Sequence, residues 1–421
     1  MPGGMTGVYG FAQCFQVTQE RAAIVINLRR TGQHACDFEL GNDIFLFDKP
    51  GEFTSSSPIT FLRSFAGKHP VDGSDVYFVR YDSMIGFVPA GERLPDGRPH
   101  PHAGTGFCMG TAITLPMEVV DSGACDVYSQ NKGWFAIITQ MEYKDGTLHE
   151  KSRQITKFMD YFKGAVGTGL ASVEFDGEDM LVPFTTKAPG DFGNGILRMS
   201  RGSDGDWKPA GFQMIAPEKG DNPPLFAAPS DGDGLSGCEP SLARMNNGNF
   251  VFTCREWGAK PWSPEPLDAS RGRIWTGCPG RDSFRLVFEK PYFHTLSPIT
   301  VGATWSGKPY LAANEYSRTD WRGKSIPSLN IREKLLLYPL QGDDCQPQEP
   351  LVLCDALAEF GEPGPVDGGW FVDHPQGCRL RLEGRERNFV TWRVFNVMDT
   401  IGHNPSENSA AWMAEIIDAE E

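Results

Sequence analysis

Apolar positions in this chain alternate with polar ones over short runs and seldom recur at the three-to-four-residue spacing of a helix face. Runs such as AAIVINLRR, SDVYFVRYDSMIGFVP and GWFAIITQMEYKDG place Val, Ile, Phe and Tyr between clusters of Gly, Pro, Asn and Asp, as strands closed by tight turns do. Helical periodicity is confined to CDALAEF at 354–360 and the C-terminal AAWMAEIIDAEE, each long enough for one to three turns. The pattern predicts an all-β chain.

One unit recurs: a small-residue approach, an apolar strand, a tight turn and a second apolar strand. It reads GLASVEFDGEDMLVPFTTK at 169–187, CEPSLARMNNGNFVFTCRE at 238–256, SPITVGATWSGKPYLAANEYS at 297–317 and GCRLRLEGRERNFVTWRVFN at 377–396. The turns begin near Asp176, Asn246, Trp305 and Glu383, at steps of about 60 to 80 residues, the spacing of four-stranded propeller blades. With the three N-terminal runs this predicts a β-propeller of seven blades, or six if two of those runs share one. No linker or low-complexity tract divides the chain, so residues 1–421 are expected to form one ring, whose closure protects the strand edges.

Composition adds limits. Gly 48 and Pro 32 call for many turns, while 40% hydrophobic residues supply a core. The net charge of −15 argues against a nucleic-acid or anionic-membrane partner, yet leaves room for a local arginine pocket and an acidic ligand. The 10 Cys show no C-x-x-C pair and no Cys/His zinc spacing, which predicts free thiols. Residues 1–19 lack the basic start and unbroken apolar run of a signal peptide, and no segment has the length of a membrane span. A cytoplasmic protein is expected, or an exported one whose leader has been removed. No cofactor is expected; a calcium ion on the propeller axis would suit the fold, but no ligand pattern announces it.

The segment GCEPSLARMNNGNFVFTCRE at 237–256 resembles the sialidase (neuraminidase) superfamily blade that presents a Glu at the start of one strand and an Arg at the end of the next. A hairpin brings both strand ends to one side, so Glu239 and Arg255 are expected to converge on one mouth. The resemblance implies that Glu239 assists a tyrosine nucleophile and that Arg255 is one of three arginines gripping a substrate carboxylate. RGSDGDWKPAGF at 201–212 looks like a degenerate Asp-box, with Ser203, Asp204, Gly205 and Trp207 at its characteristic positions; in the family this is a structural turn facing away from the active site. NIREKLLLYPL at 330–340 resembles the strand carrying the third arginine, here Arg332, while Arg29 and Arg30 are positional candidates for the first. The family's tyrosine has no counterpart in WFVDHPQG, which offers Asp373 and His374 instead, and Phe371 cannot replace it; Tyr316 is the nearest upstream tyrosine.

A further pair of candidates lies in PDGRPHPHAGTGF at 95–107. His100 and His102 stand two apart on a Pro- and Gly-bounded segment, an arrangement that turns both imidazoles the same way. Imidazoles can remove and return a proton, as β-elimination beside a uronic acid requires. Three functions follow as expectations. The first is a sialidase-like exo-glycosidase cleaving a terminal bond at an acidic sugar. The second is a lyase eliminating at a uronate of an oligosaccharide or polysaccharide, and the third is a non-catalytic glycan- or protein-binding propeller.

Overall fold

The computed structural model describes residues 8–29, 39–50, 52–53, 59–63, 65–118, 133–156, 165–168, 172–188, 191–216, 236–257, 272–280, 284–290, 297–315, 332–362, 369–397 and 405–417. Among them the strands form six antiparallel sheets. Their inner strands are Val8–Gln16, Asp75–Val88, Glu174–Asp176, Ser236–Arg244, Thr300–Ala303 and Gly369–Leu382. Inner strands of consecutive sheets touch one another, with Ala165–Thr168 completing the contact between sheets two and three, and the sixth returns to the first.

Alternation along the strands creates two apolar faces per sheet, and each face meets that of a neighbour. Among the described residues a buried cluster stands at every junction. Sheets two and three bury Phe107 and Met109 against Phe184 and Trp207, and sheets three and four bury Leu181 against Phe252 and Trp275. Sheets four and five share Val251 and Leu311, and sheets five and six share Leu335 and Trp392. Leu380 and Phe389 of sheet six meet Ile24 and Phe45 of sheet one, and Phe15 and Val25 of sheet one meet Phe87 of sheet two. Each large apolar side chain so buried contributes about 1.5–3 kcal/mol. The chain is a β-propeller.

Polar bonds stitch the inner strands together. Gln13 donates to the Ile85 carbonyl and accepts from its N–H, Ser241 does the same with Val301, and Thr300 donates to the Pro375 carbonyl. The turns that follow the inner strands also touch in sequence round the ring. Ala90 N–H donates to the Val17 carbonyl, and His100 Nε2 lies 3.3 Å from the Gly177 carbonyl. Arg244 lies 3.8 Å from Asp176, Asn246 N–H donates to the Gly307 carbonyl, Trp305 binds Asn388 and Arg387, and Gln16 binds the Arg381 backbone. All six turns therefore rim one mouth of the ring, and the starts of the inner strands gather at the other.

The turns expected at Asp176, Asn246, Trp305 and Glu383 are present, as is a short helix, Ala356–Phe360, capped by Asp355. The C-terminal helical expectation is corrected: Pro405–Ile416 is the outer strand of sheet six, pairing Trp392 with Trp412. Pairing with the long neighbouring strand and packing of Met413 on the sheet-one junction outweigh the helix propensity of its Ala and Glu residues. Cys14, Cys108, Cys254, Cys278, Cys345, Cys354 and Cys378 are free thiols. Among the described residues no helix is long and apolar enough to cross a membrane.

Candidate functional site

Two inner strands enter the ring through the same local device. Cys238–Glu239–Pro240–Ser241 and Asp373–His374–Pro375–Gln376 each contain a register shift against the next strand. Glu239 and His374 have φ of 52° and 53°, a left-handed conformation that costs a non-glycine residue about 1–3 kcal/mol. The bulge re-aims each side chain while the following proline stiffens the turn into the strand. Behind each, the paired strand supplies an arginine at the same register: Cys238 pairs with Arg255, and Asp373 with Arg393.

A third guanidinium comes from Arg332, whose backbone bridges to Phe371 and accepts from Val372 N–H at 2.7 Å. Its guanidinium stacks 4.9 Å from the Phe371 ring centroid and pairs with Asp373. Arg393 grips the same carboxylate with two parallel bonds of 2.8 and 2.9 Å. His374 Nδ1 lies 2.8 Å from Asp373 and 3.3 Å from an Arg393 nitrogen. Arg255 donates to Glu239 at 2.9 Å, with both side chains about one-seventh exposed.

These charges set one another's protonation. Burial would raise the Asp373 carboxyl, but Arg393, His374 and Arg332 hold it well below the usual carboxylate range. Burial likewise opposes ionisation of Glu239, and the field and hydrogen bond of Arg255, with the field of Arg332, win, leaving it a carboxylate. Burial and Arg393 pull His374 down to about 3 against the attraction of Asp373, so the imidazole is neutral at physiological pH. With a neutral ring, the 2.8 Å contact to a carboxylate is a hydrogen bond from Nδ1–H rather than an ion pair, which leaves Nε2 as a lone-pair acceptor. Burial lowers Arg332 to about 10, still cationic at neutral pH. Among the described residues three arginines meet two carboxylates and a neutral histidine here, in a chain of net charge −15.

The structure thus brings together Glu239, Arg255, Arg332, Asp373 and His374, all expected from the sequence, and adds Arg393. The signal for Arg393 was present: it sits at the end of the second strand of its hairpin, as Arg255 does. His100 and His102 lie apart from this group. They belong to the opposite mouth, where His100 meets the Gly177 turn and His102 packs 5.3 Å from Trp207 and 3.4 Å from an Arg201 nitrogen. The Arg244–Asp176 contact places that turn at the far end of the strand bearing Glu239, five residues or about 16 Å away. The paired spacing did align two histidines, whose rings stand 5.6 Å apart, but on a loop that follows an inner strand instead of preceding one. The Asp-box turn shares that far mouth, with Asp204 accepting from Asp206 N–H and Trp207 buried. Tyr316, Arg30 and the Arg29 side chain lie outside the described residues. Among the described residues no group of three or more His, Cys, Asp or Glu is arranged to hold a metal ion.

No family model and no curated protein matches the sequence. Solved structures do match the fold. The NanB sialidase of Streptococcus pneumoniae superposes with a TM-score of 0.55 at 9% identity, covering 98% of this chain and 69% of that one. The GH93 α-L-arabinofuranosidase of Fusarium graminearum, solved with arabinobiose, gives 0.51 at 8% identity over 98% and 95%. The chain has a divergent sialidase-like β-propeller fold, with the Glu239 and His374 hairpins at one mouth of its ring.

Proposed function

We propose that the chain is a glycoside hydrolase that binds an acidic sugar at the strand-start mouth and cleaves the bond joining it to the rest of a glycan. The convergence of Arg255, Arg332 and Arg393 at one mouth carries this reading, because clustered guanidiniums in a desolvated site favour a ligand carboxylate. Glycosidase neighbours of the same fold support the reaction class.

In this scheme the arginines hold the sugar carboxylate, and Glu239, ionised and fixed by Arg255, takes the proton from the oxygen that attacks the anomeric carbon. That oxygen is water or a hydroxyl such as that of Tyr316. The C–O bond to the leaving group breaks, its oxygen takes up a proton, and water supplies the new anomeric hydroxyl. A screen of sialylated and uronate-capped oligosaccharides with mass detection tests this: a product pair heavier by one water in total is expected, and Glu239→Gln should slow its release about 10²–10⁴-fold. Release at the wild-type rate by that variant would remove Glu239 from the chemistry.

Elimination is the second reading, and it moves from His102 to His374. A neutral imidazole oriented by Asp373 beside three arginines is equipped to take the C5 proton of a uronate. The same screen separates the two, since elimination yields an unsaturated, ultraviolet-absorbing sugar and adds no water.

A further inference from the structure

The turn-side mouth holds a second site. A cavity of about 420 Å³ opens there on the ring axis, lined by inner-strand residues of all six sheets. Two contacts cross the axis and floor it: Ser172 donates to the Gly377 carbonyl, and Arg379 pairs with the buried Glu174 at 2.6 Å. The cavity lies on the turn side of both contacts. Its volume falls within the range of about 300–1,000 Å³ that holds small molecules.

Charge and aromatic packing define what would fit. Four arginines line the cavity, Arg93, Arg244, Arg379 and Arg381, against two glutamates, Glu92 and Glu174. Trp305 is fixed by its backbone N–H on Asn388 and its indole N–H on the Arg387 carbonyl. Its ring stacks under Arg381 at 4.7 Å and Arg379 at 5.8 Å. Arg379 is committed to Glu174. Arg381 also stacks on that ring, and its own bonds are long: it donates to Gln19 at 3.3 Å and from two nitrogens to Glu386 at 3.4 Å, with Glu92 3.7 Å away. A charge-assisted bond to an incoming carboxylate would be shorter, at about 2.7–2.9 Å. Phe15, Phe87 and Phe175 supply the apolar wall on which the body of a ligand would rest.

We propose that this cavity binds a carboxylate-bearing ligand of monosaccharide size, with Arg381 taking the carboxylate and Trp305 holding Arg381 in position. The site is independent of any reaction at the other mouth. Isothermal titration of the full chain with glucuronate, and with glucose as its neutral isostere, tests it. Glucuronate should bind and glucose should not, Arg381→Gln should weaken glucuronate binding at this site at least about tenfold, and Arg393→Gln should leave that component in place. Glucuronate binding unchanged by Arg381→Gln, or equal binding of glucose, overturns the proposal. A single binding component lost with Arg393→Gln overturns it too, while leaving the proposed hydrolase intact.

Discussion

The two mouths of this ring are built from opposite ends of the same inner strands, yet they handle charge differently. At the strand-start mouth Asp373 is fully buried and shared by Arg332 and Arg393. At the turn mouth the equivalent ion pairs, such as Arg198 with Asp176 and Asp179, are about one-third exposed. Burial makes the first set costly to disturb and able to shift protonation; exposure leaves the second set screened by water. Reactive chemistry needs the first condition, and tight turns need only the second.

The sharpest break of that contrast is the removal of one carboxylate from each mouth. Asp373→Ala should destabilise the protein by about 3–5 kcal/mol, because it removes the carboxylate that two buried guanidiniums share. Asp176→Ala should cost no more than about 1 kcal/mol in the same urea titration, as exposed pairs do. Equal losses would show that burial does not separate the two ends.

A smaller effect follows from pH. The folded pKa of His374 lies near 3, below the unfolded value of about 6.5, so its neutral form favours the native state above pH 6.5. That contribution declines as pH falls from about 6.5 towards 3, and the depressed carboxyls of Asp373 and Glu239 add to the loss once pH drops through the ordinary carboxylate range. The urea midpoint should fall between pH 7 and pH 5, and His374→Gln should flatten that fall. A midpoint that rises on acidification, or the same slope in the variant, would mean His374 is not held neutral.

The smallest effect is expected at the turn mouth. His102→Ala should leave turnover within about threefold of wild type, since general acid–base groups contribute about 10²–10⁴-fold and His102 packs on Trp207 far from Glu239. A loss of that larger size would return the chemistry to the histidine loop.

Much of the fold was legible because strand alternation and turn chemistry act locally. The hairpins at Asp176, Asn246, Trp305 and Glu383 are set by Gly, Asn and Asp residues that the turns themselves require. The C-terminal strand was not legible, since its Ala- and Glu-rich run takes its conformation from Trp392 and its neighbours across the sheet. Glu239 and Arg255 could be paired from one hairpin. Bringing Arg332 to Asp373 required knowing which strand lies beside which, a long-range fact that spacing does not carry. Arg393 was within reach, because Glu239–Pro240 and His374–Pro375 occupy the same phase of two repeats and the arginines follow at the same register. For the histidine pair, spacing aligned the rings but could not say which mouth they rim.

The most direct measurement is the ratio of kcat/KM for an acid-capped over a neutral-capped oligosaccharide, in the wild type and in Arg393→Gln. If the arginine cluster reads a substrate carboxylate, the wild type strongly favours the acidic cap and the variant loses at least about tenfold of that preference. An unchanged ratio would contradict the account, since the guanidinium missing from the sequence reading would then play no part in recognising charge.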